Sequence, residues 1–211
     1  MPLYKTISVR AGARIIIWQI TETFEDLFDE VMLTDVSLTR LNTMKSGMQQ
    51  RGFLSVRKLL QEAGYTDFDM SYDVSGKPHL SDGKHISITH SFEYAAIIVS
   101  DVIAGIDIEK QRDKIIRIAD KFVDYEFKYL NPNKQHDYIR MLTAIWGAKE
   151  SIFKIRNEVG ISFKDHIKVN SFDVLDGYCR AWLHFGDVIV DFNICYFEVE
   201  DFMLVYAFEN I

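Results

Sequence analysis

The order of elements constrains this chain more than any single motif does: helical stretches followed by strands occur once before residue 104 and again after it. Arg14 to Ile20 reads as an apolar strand. Thr23 is placed to cap a helix-like stretch running to Leu33, with Glu25 and Asp26 in its first turn. From Leu41 to Ala63 the spacing of Leu41, Met44, Met48, Phe53, Val56, Leu59 and Leu60 is helical, weakened by Gly47 and Gly52 and stopped at Gly64. After a turn at Ser75-Gly76-Lys77-Pro78, Ile86 to His90 alternates as a half-buried strand should. Tyr94 to Ser100 and Val102 to Glu109 follow as two more. Residues 111–130 read as one or two amphipathic helices and Tyr138 to Lys154 as another, with Asn131-Pro132-Asn133 breaking the chain between them. Residues 165–209, rich in Val, Ile, Phe and Tyr, read as strands punctuated at Asp176-Gly177 and Gly186-Asp187. Prolines occur only at 2, 78 and 132, and no Gly/Ser/Pro-rich stretch offers a linker. The expectation is an α+β fold in two similar halves, 1–103 and 104–211.

A formal charge of -7 argues against general nucleic-acid binding, which needs a basic stripe, so an anionic partner has to be met by a local basic patch. The apolar runs Ala13 to Ile17, Tyr94 to Ser100 and Phe202 to Phe208 are far shorter than the roughly 20 residues of a membrane span. No signal-like h-region follows Lys5 and Arg10, and the cytoplasm is the expected compartment. Cys179 and Cys195 sit in strand-like apolar surroundings that suit buried thiols better than a disulfide or a sulfur-ligated metal.

The sharpest local signal is Gly105-Ile106-Asp107-Ile108-Glu109, where two acids at i and i+2 on a strand share a face. Two such carboxylates invite a cation, and hard oxygen ligands select magnesium or manganese. The competing reading is a solvated strand edge. A second signal is Trp146-Gly147-Ala148-Lys149-Glu150-Ser151-Ile152-Phe153-Lys154, in which Glu150 and Lys154 share a helical face between large apolar residues. The competing reading there is an ordinary surface pair. A third is Ser87-Ile88-Thr89-His90-Ser91, a strand end whose hydroxyls and imidazole can donate to phosphate oxygens, or simply cap the strand. No Walker A loop, no G-x-G-x-x-G and no G-x-S-x-G elbow is present. Three carboxylates, two lysines and a histidine together suit a polyphosphate held through a divalent cation, with displacement at phosphorus.

These segments resemble the 4'-phosphopantetheinyl transferases, in their longer single-chain, pseudo-dimeric (surfactin-synthetase-activating) class. The resemblance is carried by Gly76-Lys77-Pro78, Ile88-Thr89-His90-Ser91 with Tyr94-Ala95, Gly105 to Glu109, Phe122-Val123-Asp124-Tyr125-Glu126 and Trp146-x-x-Lys149-Glu150-x-x-x-Lys154. It implies an intramolecular pseudo-dimer whose second half carries the metal site, with the cofactor in the cleft between the halves, acting as a monomer. It implies that phosphopantetheine passes from coenzyme A to a serine of an acyl, peptidyl or aryl carrier protein, releasing adenosine 3',5'-bisphosphate. Asp107, Glu109 and Glu150 are then the magnesium ligands, Glu150 also a candidate base, and Lys154 a stabiliser of the breaking pyrophosphate. Arg57, Lys77, Thr89, His90 and Lys149 are expected to hold coenzyme A, with Arg57 near the 3'-phosphate. The lead-in to Arg57 departs from the family, with Gln49, Gln50 and Gly52 around a single Arg51. Gly147 stands where Thr is frequent and Ser151 where Ala is frequent. Carrier proteins are acidic, and Lys110, Arg112, Lys114, Arg117 and Lys121 are the basic residues placed to meet them, although Asp113, Asp120 and Asp124 are interleaved. A metal-dependent phosphoester hydrolase and a catalytically silent carrier-binding module are the alternatives.

Overall fold

The chain enters on β1 (Leu3–Arg10), a mostly exposed edge strand that turns back into β2 (Ala13–Gln19). Sequence patterning does not reveal β1, because a strand exposed on both faces has no apolar period to read. The computed structural model describes residues 2–10 and 12–210, and the chain divides into two units, Met1–Val102 and Ile103–Ile211.

In the first unit, α1 (Phe24–Asp29) starts at the expected cap, where Thr23 and Asp26 exchange side-chain and backbone hydrogen bonds, and stops short of Leu33. The single helix expected from Leu41 to Ala63 is two: α2 (Asp35–Thr43) and α3 (Gly47–Ala63), separated where Met44 becomes extended. Gly64 ends α3 with φ +89°, its N–H and that of Tyr65 closing on Leu60 O. The short hairpin β3 (Met70–Tyr72) and β4 (Pro78–Leu80) precedes β5 (His85–Ser91) and β6 (Tyr94–Ser100). The sheet runs β1-β2-β6-β5, antiparallel throughout. Strand β6 is buried at every position, as its unbroken apolar run demands. Helix α3 lies across β6, β2 and β5, setting Leu54, Leu59 and Leu60 against Ile16, Trp18 and Ile97. Each such side chain contributes roughly 1.5–3 kcal/mol.

The second unit begins with β7 (Ala104–Lys110). The stretch expected to be helical between 111 and 130 holds only α4 (Lys114–Ile118) and two 3₁₀ turns, Ala119–Lys121 and Tyr125–Lys128. The long helix is α5 (Gln135–Arg156), ending at Asn157 in the left-handed region. After α6 (Phe163–His166) come β8 (Ile167–Val169), β9 (Tyr178–Phe185), β10 (Val188–Val199) and β11 (Phe202–Glu209). The antiparallel sheet has the order β7-β11-β10-β9-β8, and α5 lies on β7 and β11. Leu142, Ile145, Ala148 and Ile152 of α5 join Leu183, Ile194 and Val205 in its core. No helix among the described residues is long and apolar enough to cross a membrane.

Candidate active site

The closeness of α5 to β7 and β11 depends on two glycines, Gly105 of β7 and Gly147 of α5. A Cβ on Gly105 would lie 2.0 Å from the backbone oxygen of Ser151, and one on Gly147 would lie 2.6 Å from Cγ2 of Val205. At Gly105 helix and strand meet nearly backbone to backbone, and at Gly147 the helix backbone rests on the Val205 side chain. Ser151 Oγ donates to Val205 O at 3.2 Å, and Lys154 Nζ donates to Ile106 O at 2.8 Å and to Asp107 Oδ1 at 2.9 Å. Glu150 sits one turn before Lys154 on the same helix face.

Asp107 is only 4% exposed, which rules out the solvated strand edge for this acid, and Glu109 at the strand end is half-buried. Burial, then the charge of Asp107 and more weakly that of Glu109, pushes the Glu150 carboxyl up to about 7, against the pull of Lys154. Asp107, Glu109 and Glu150 therefore act electrostatically as one cluster. Its donors are hard oxygens whose repulsion a divalent cation would relieve, so the set fits such an ion. Among the described residues, no three acidic, His or Cys side chains are drawn together as a formed metal centre, and Lys154 sits on one Asp107 oxygen.

Lys149 points away from that cluster. Its ammonium lies 2.8 Å from Glu126 Oε1 and donates to Phe122 O at 2.6 Å and Phe163 O at 3.0 Å, with both side chains of the ion pair 0% exposed. Glu126 also accepts from Val169 N and Asp124 N. Burial draws the lysine down to about 8, with Glu126 opposing it. All three ammonium protons are engaged inside the unit. Lys149, expected at coenzyme A, ties α5 to the 3₁₀ turn that carries Glu126. The Phe122-to-Glu126 segment is thus explained by a partner on α5, which spacing alone could not name.

The other expected residues belong to the first unit. Arg57, expected near the 3'-phosphate, is 2% exposed: its Nε pairs with Asp67 Oδ1 at 2.9 Å, its Nη2 donates to Ser37 Oγ, and its guanidinium lies 3.5 Å from the Phe53 ring centroid. Asp67 accepts in turn from Thr34 and Ser37; burial pushes its carboxyl up, but the Thr34 N–H, the Arg57 charge and the Ser37 and Thr34 hydroxyls together hold it below its usual range. This network anchors the start of α2. Lys77 is half-buried in the β3–β4 turn, where its N–H donates to Asp73 Oδ1. Thr89 is 6% exposed, and strand alternation turns it to the face opposite His90, so the two do not address one ligand from one side. His90 is exposed, and its ring rests on α3 at Gly52, where a Cβ would meet Nδ1 at 2.9 Å. A cavity of about 400 Å³ beside it is lined by Thr43, Met44, Lys45 and Gln49. The spacing of apolar residues does not reveal Lys45, because it runs at helical period through the turn between α2 and α3 that presents it; Gln49 follows in the first turn of α3.

The acids of β7 and the Glu150–Lys154 turn of α5 fall inside one matched segment. Residues 103–189 match the 4'-phosphopantetheinyl transferase superfamily. A curated relative, the 4'-phosphopantetheinyl transferase gsp of Aneurinibacillus migulanus, is 32% identical over 98 residues. That stretch is 46% of this chain and 39% of the relative, so the match spans about two-fifths of the relative's length. The superfamily match lies within the unit that holds Asp107, Glu109, Glu150 and Lys154, ending before most of β10 and all of β11, and it takes in Glu126 and Lys149 as well.

Proposed function

We propose that the chain is a 4'-phosphopantetheinyl transferase that moves phosphopantetheine from coenzyme A to a serine of an apo carrier protein, releasing adenosine 3',5'-bisphosphate. The observation that carries this reading is Glu150 and Lys154 of α5 held against the acid pair of β7, within the matched segment. Asp107, Glu109 and Glu150 would hold a divalent cation, magnesium or manganese. When bound, it neutralises the pyrophosphate and sharpens the phosphorus as an electrophile. Glu150 as carboxylate takes the proton of the carrier serine, whose oxygen bonds to the phosphorus bearing pantetheine. The pyrophosphate P–O bond breaks, its electron pair leaves on adenosine 3',5'-bisphosphate, and Lys154 offsets the charge that develops.

In the first unit, Lys45 and His90 at the 400 Å³ cavity are suited to phosphate oxygens, and Lys77 offers a further cation. The two units repeat one plan, which supports the pseudo-dimer. In each, the strand before the helices pairs antiparallel with the last strand, β2 with β6 and β7 with β11. For the carrier, Arg112, Lys114, Arg117 and Lys121 are exposed, and Lys110 lies 3.1 Å from Asp201. Beside Glu109 a cavity of about 150 Å³ has Ile115, Ile118 and Trp146 in its lining and Lys110, Arg112 and Lys114 around it. An apolar depression with basic neighbours suits an acidic, amphipathic carrier surface.

The test is to incubate the protein with coenzyme A, magnesium and several apo carriers, and to weigh the carriers by mass spectrometry with Glu150→Ala as control. A phosphopantetheine-sized gain on a serine, absent with the variant, supports transfer. Release of phosphopantetheine with every carrier unmodified would point to a hydrolase instead.

A further inference from the structure

A third and larger cavity, about 520 Å³, opens at the end of the first unit's sheet, where the β1–β2 hairpin meets the start of β5. Its charged lining is wholly cationic among the described residues: Arg10 from β1, Arg14 from β2 and Lys84 just before β5, with the Ser8 hydroxyl beside them. Val9 and Val99 supply apolar wall. In a chain of net charge -7, three cations from three separate segments at one cavity are not background.

The backbone is built to bring them there. The register of β1 on β2 slips between Ser8, opposite Arg14, and Arg10, opposite Ala13, so this end of the hairpin is bulged, and Ser8, Val9 and Arg10 all reach the same cavity. Arg14 is anchored by donating through Nη2 to Ala63 O at the end of α3, which leaves its other N–H groups for the cavity. Of the acids around Lys84, Asp82 accepts from its backbone N–H at 3.0 Å, and Asp101 is turned onto Gly12, where a Cβ would lie 1.9 Å from its Oδ2. It meets Lys84 only at 3.5 Å and with both side chains half-exposed, a pair weak enough for a better anion to displace.

We propose that this cavity binds a small tetrahedral oxyanion, free phosphate or the phosphate of a monoester, between Arg10, Arg14 and Lys84. Two guanidiniums offer planar, paired N–H groups that match phosphate oxygens, and Lys84 adds a mobile point charge. The volume exceeds what inorganic phosphate fills, which leaves room for the organic part of a monoester. None of the residues assigned to the transfer reaction lines it, so this inference stands or falls apart from that one.

The full chain, labelled with ¹⁵N, would be titrated with inorganic phosphate and separately with phenyl phosphate at constant ionic strength. The result expected is saturable amide shifts at residues 8–14 and 84–85 with at least one probe. Tighter binding of phenyl phosphate identifies a monoester site, and equal or weaker binding a free-phosphate site. Arg10→Gln with Lys84→Gln, both at exposed positions, should weaken that binding about tenfold or more, the loss expected for charged hydrogen bonds. The single Lys84→Gln should fall between. Shifts confined to Lys45, Gln49 and His90, shifts scattered over surface lysines, or an unchanged affinity in a folded double variant would overturn the proposal.

Discussion

Lys154 reaches from the last turn of α5 to Asp107 in the middle of β7, donating to its Oδ1 at 2.9 Å and to the neighbouring Ile106 carbonyl at 2.8 Å. Removing the ammonium takes away both the tether and the charge proposed to meet the leaving phosphate. Lys154→Met is expected to lower kcat for carrier modification by roughly 10- to 100-fold, the worth of one or two charged hydrogen bonds, with a smaller effect on KM for coenzyme A. Lys154→Arg should retain more activity. Steady-state kinetics with one carrier separates these outcomes; a change in KM alone would remove Lys154 from the chemical step.

Glu150 links activity and stability with opposite signs. Its carboxyl is raised from 4.5 to about 7, so in the metal-free protein it takes up a proton on folding between those values. Its contribution to stability is therefore most favourable below pH 4.5 and is lost as pH rises through 7. Holding it ionised costs on the order of 3 kcal/mol at pH 8. Glu150→Gln should then be more stable than the parent in urea at pH 8, with the difference shrinking towards pH 5, while losing transfer activity. A variant less stable at pH 8 than at pH 5, relative to the parent, would contradict this.

A divalent cation should relieve the same repulsion. Magnesium added at pH 7.5 is expected to raise Tm, by about 2–4 °C for each kcal/mol of linkage in a chain of this size. Asp107→Asn combined with Glu109→Gln should abolish the rise. An equal rise in parent and variant would place the ion elsewhere.

The buried pair of Lys149 and Glu126 predicts a thermodynamic cycle. Lys149→Met alone leaves an uncompensated carboxylate in the core and should cost about 3–5 kcal/mol. Adding Glu126→Leu should recover much of that loss. Denaturation of both variants measures the coupling, and additive losses would mean that the two charges act independently.

Gly105→Ala tests the contact of helix and strand. The added methyl overlaps the Ser151 backbone oxygen, which cannot rotate aside, so α5 must move outward at a cost of about 1–3 kcal/mol. Because Glu150 adjoins Ser151, transfer activity should fall further than stability does. An active, fully stable Gly105→Ala protein would show that the approach is not needed.

The parts legible in the sequence were those written in local order. The acids of β7 alternate with isoleucines, the Glu150–Lys154 turn repeats at helical spacing, and Gly64 ends α3 where it should. Long-range pairing was not legible. Arg57 looks like a free cation on a helix until Asp67 and Ser37 fold onto it, and Lys149 looks like the neighbour of Glu150 until Glu126 arrives from the preceding turn. The break between α2 and α3 hid for another reason: apolar residues continue through it at helical spacing while the backbone at Met44 does not.

The imidazole of His90 lying against Gly52 carries a consequence for how α3 can change. A glycine within a helix costs roughly 0.5–1 kcal/mol relative to alanine, and the simplest way to recover that is a single methyl. At this position the methyl would press on the ring from below, so a gain in helix strength and the present seat of the histidine exclude each other. The helix is thus kept slightly weak at the spot where an exposed ring needs a flat surface to rest on.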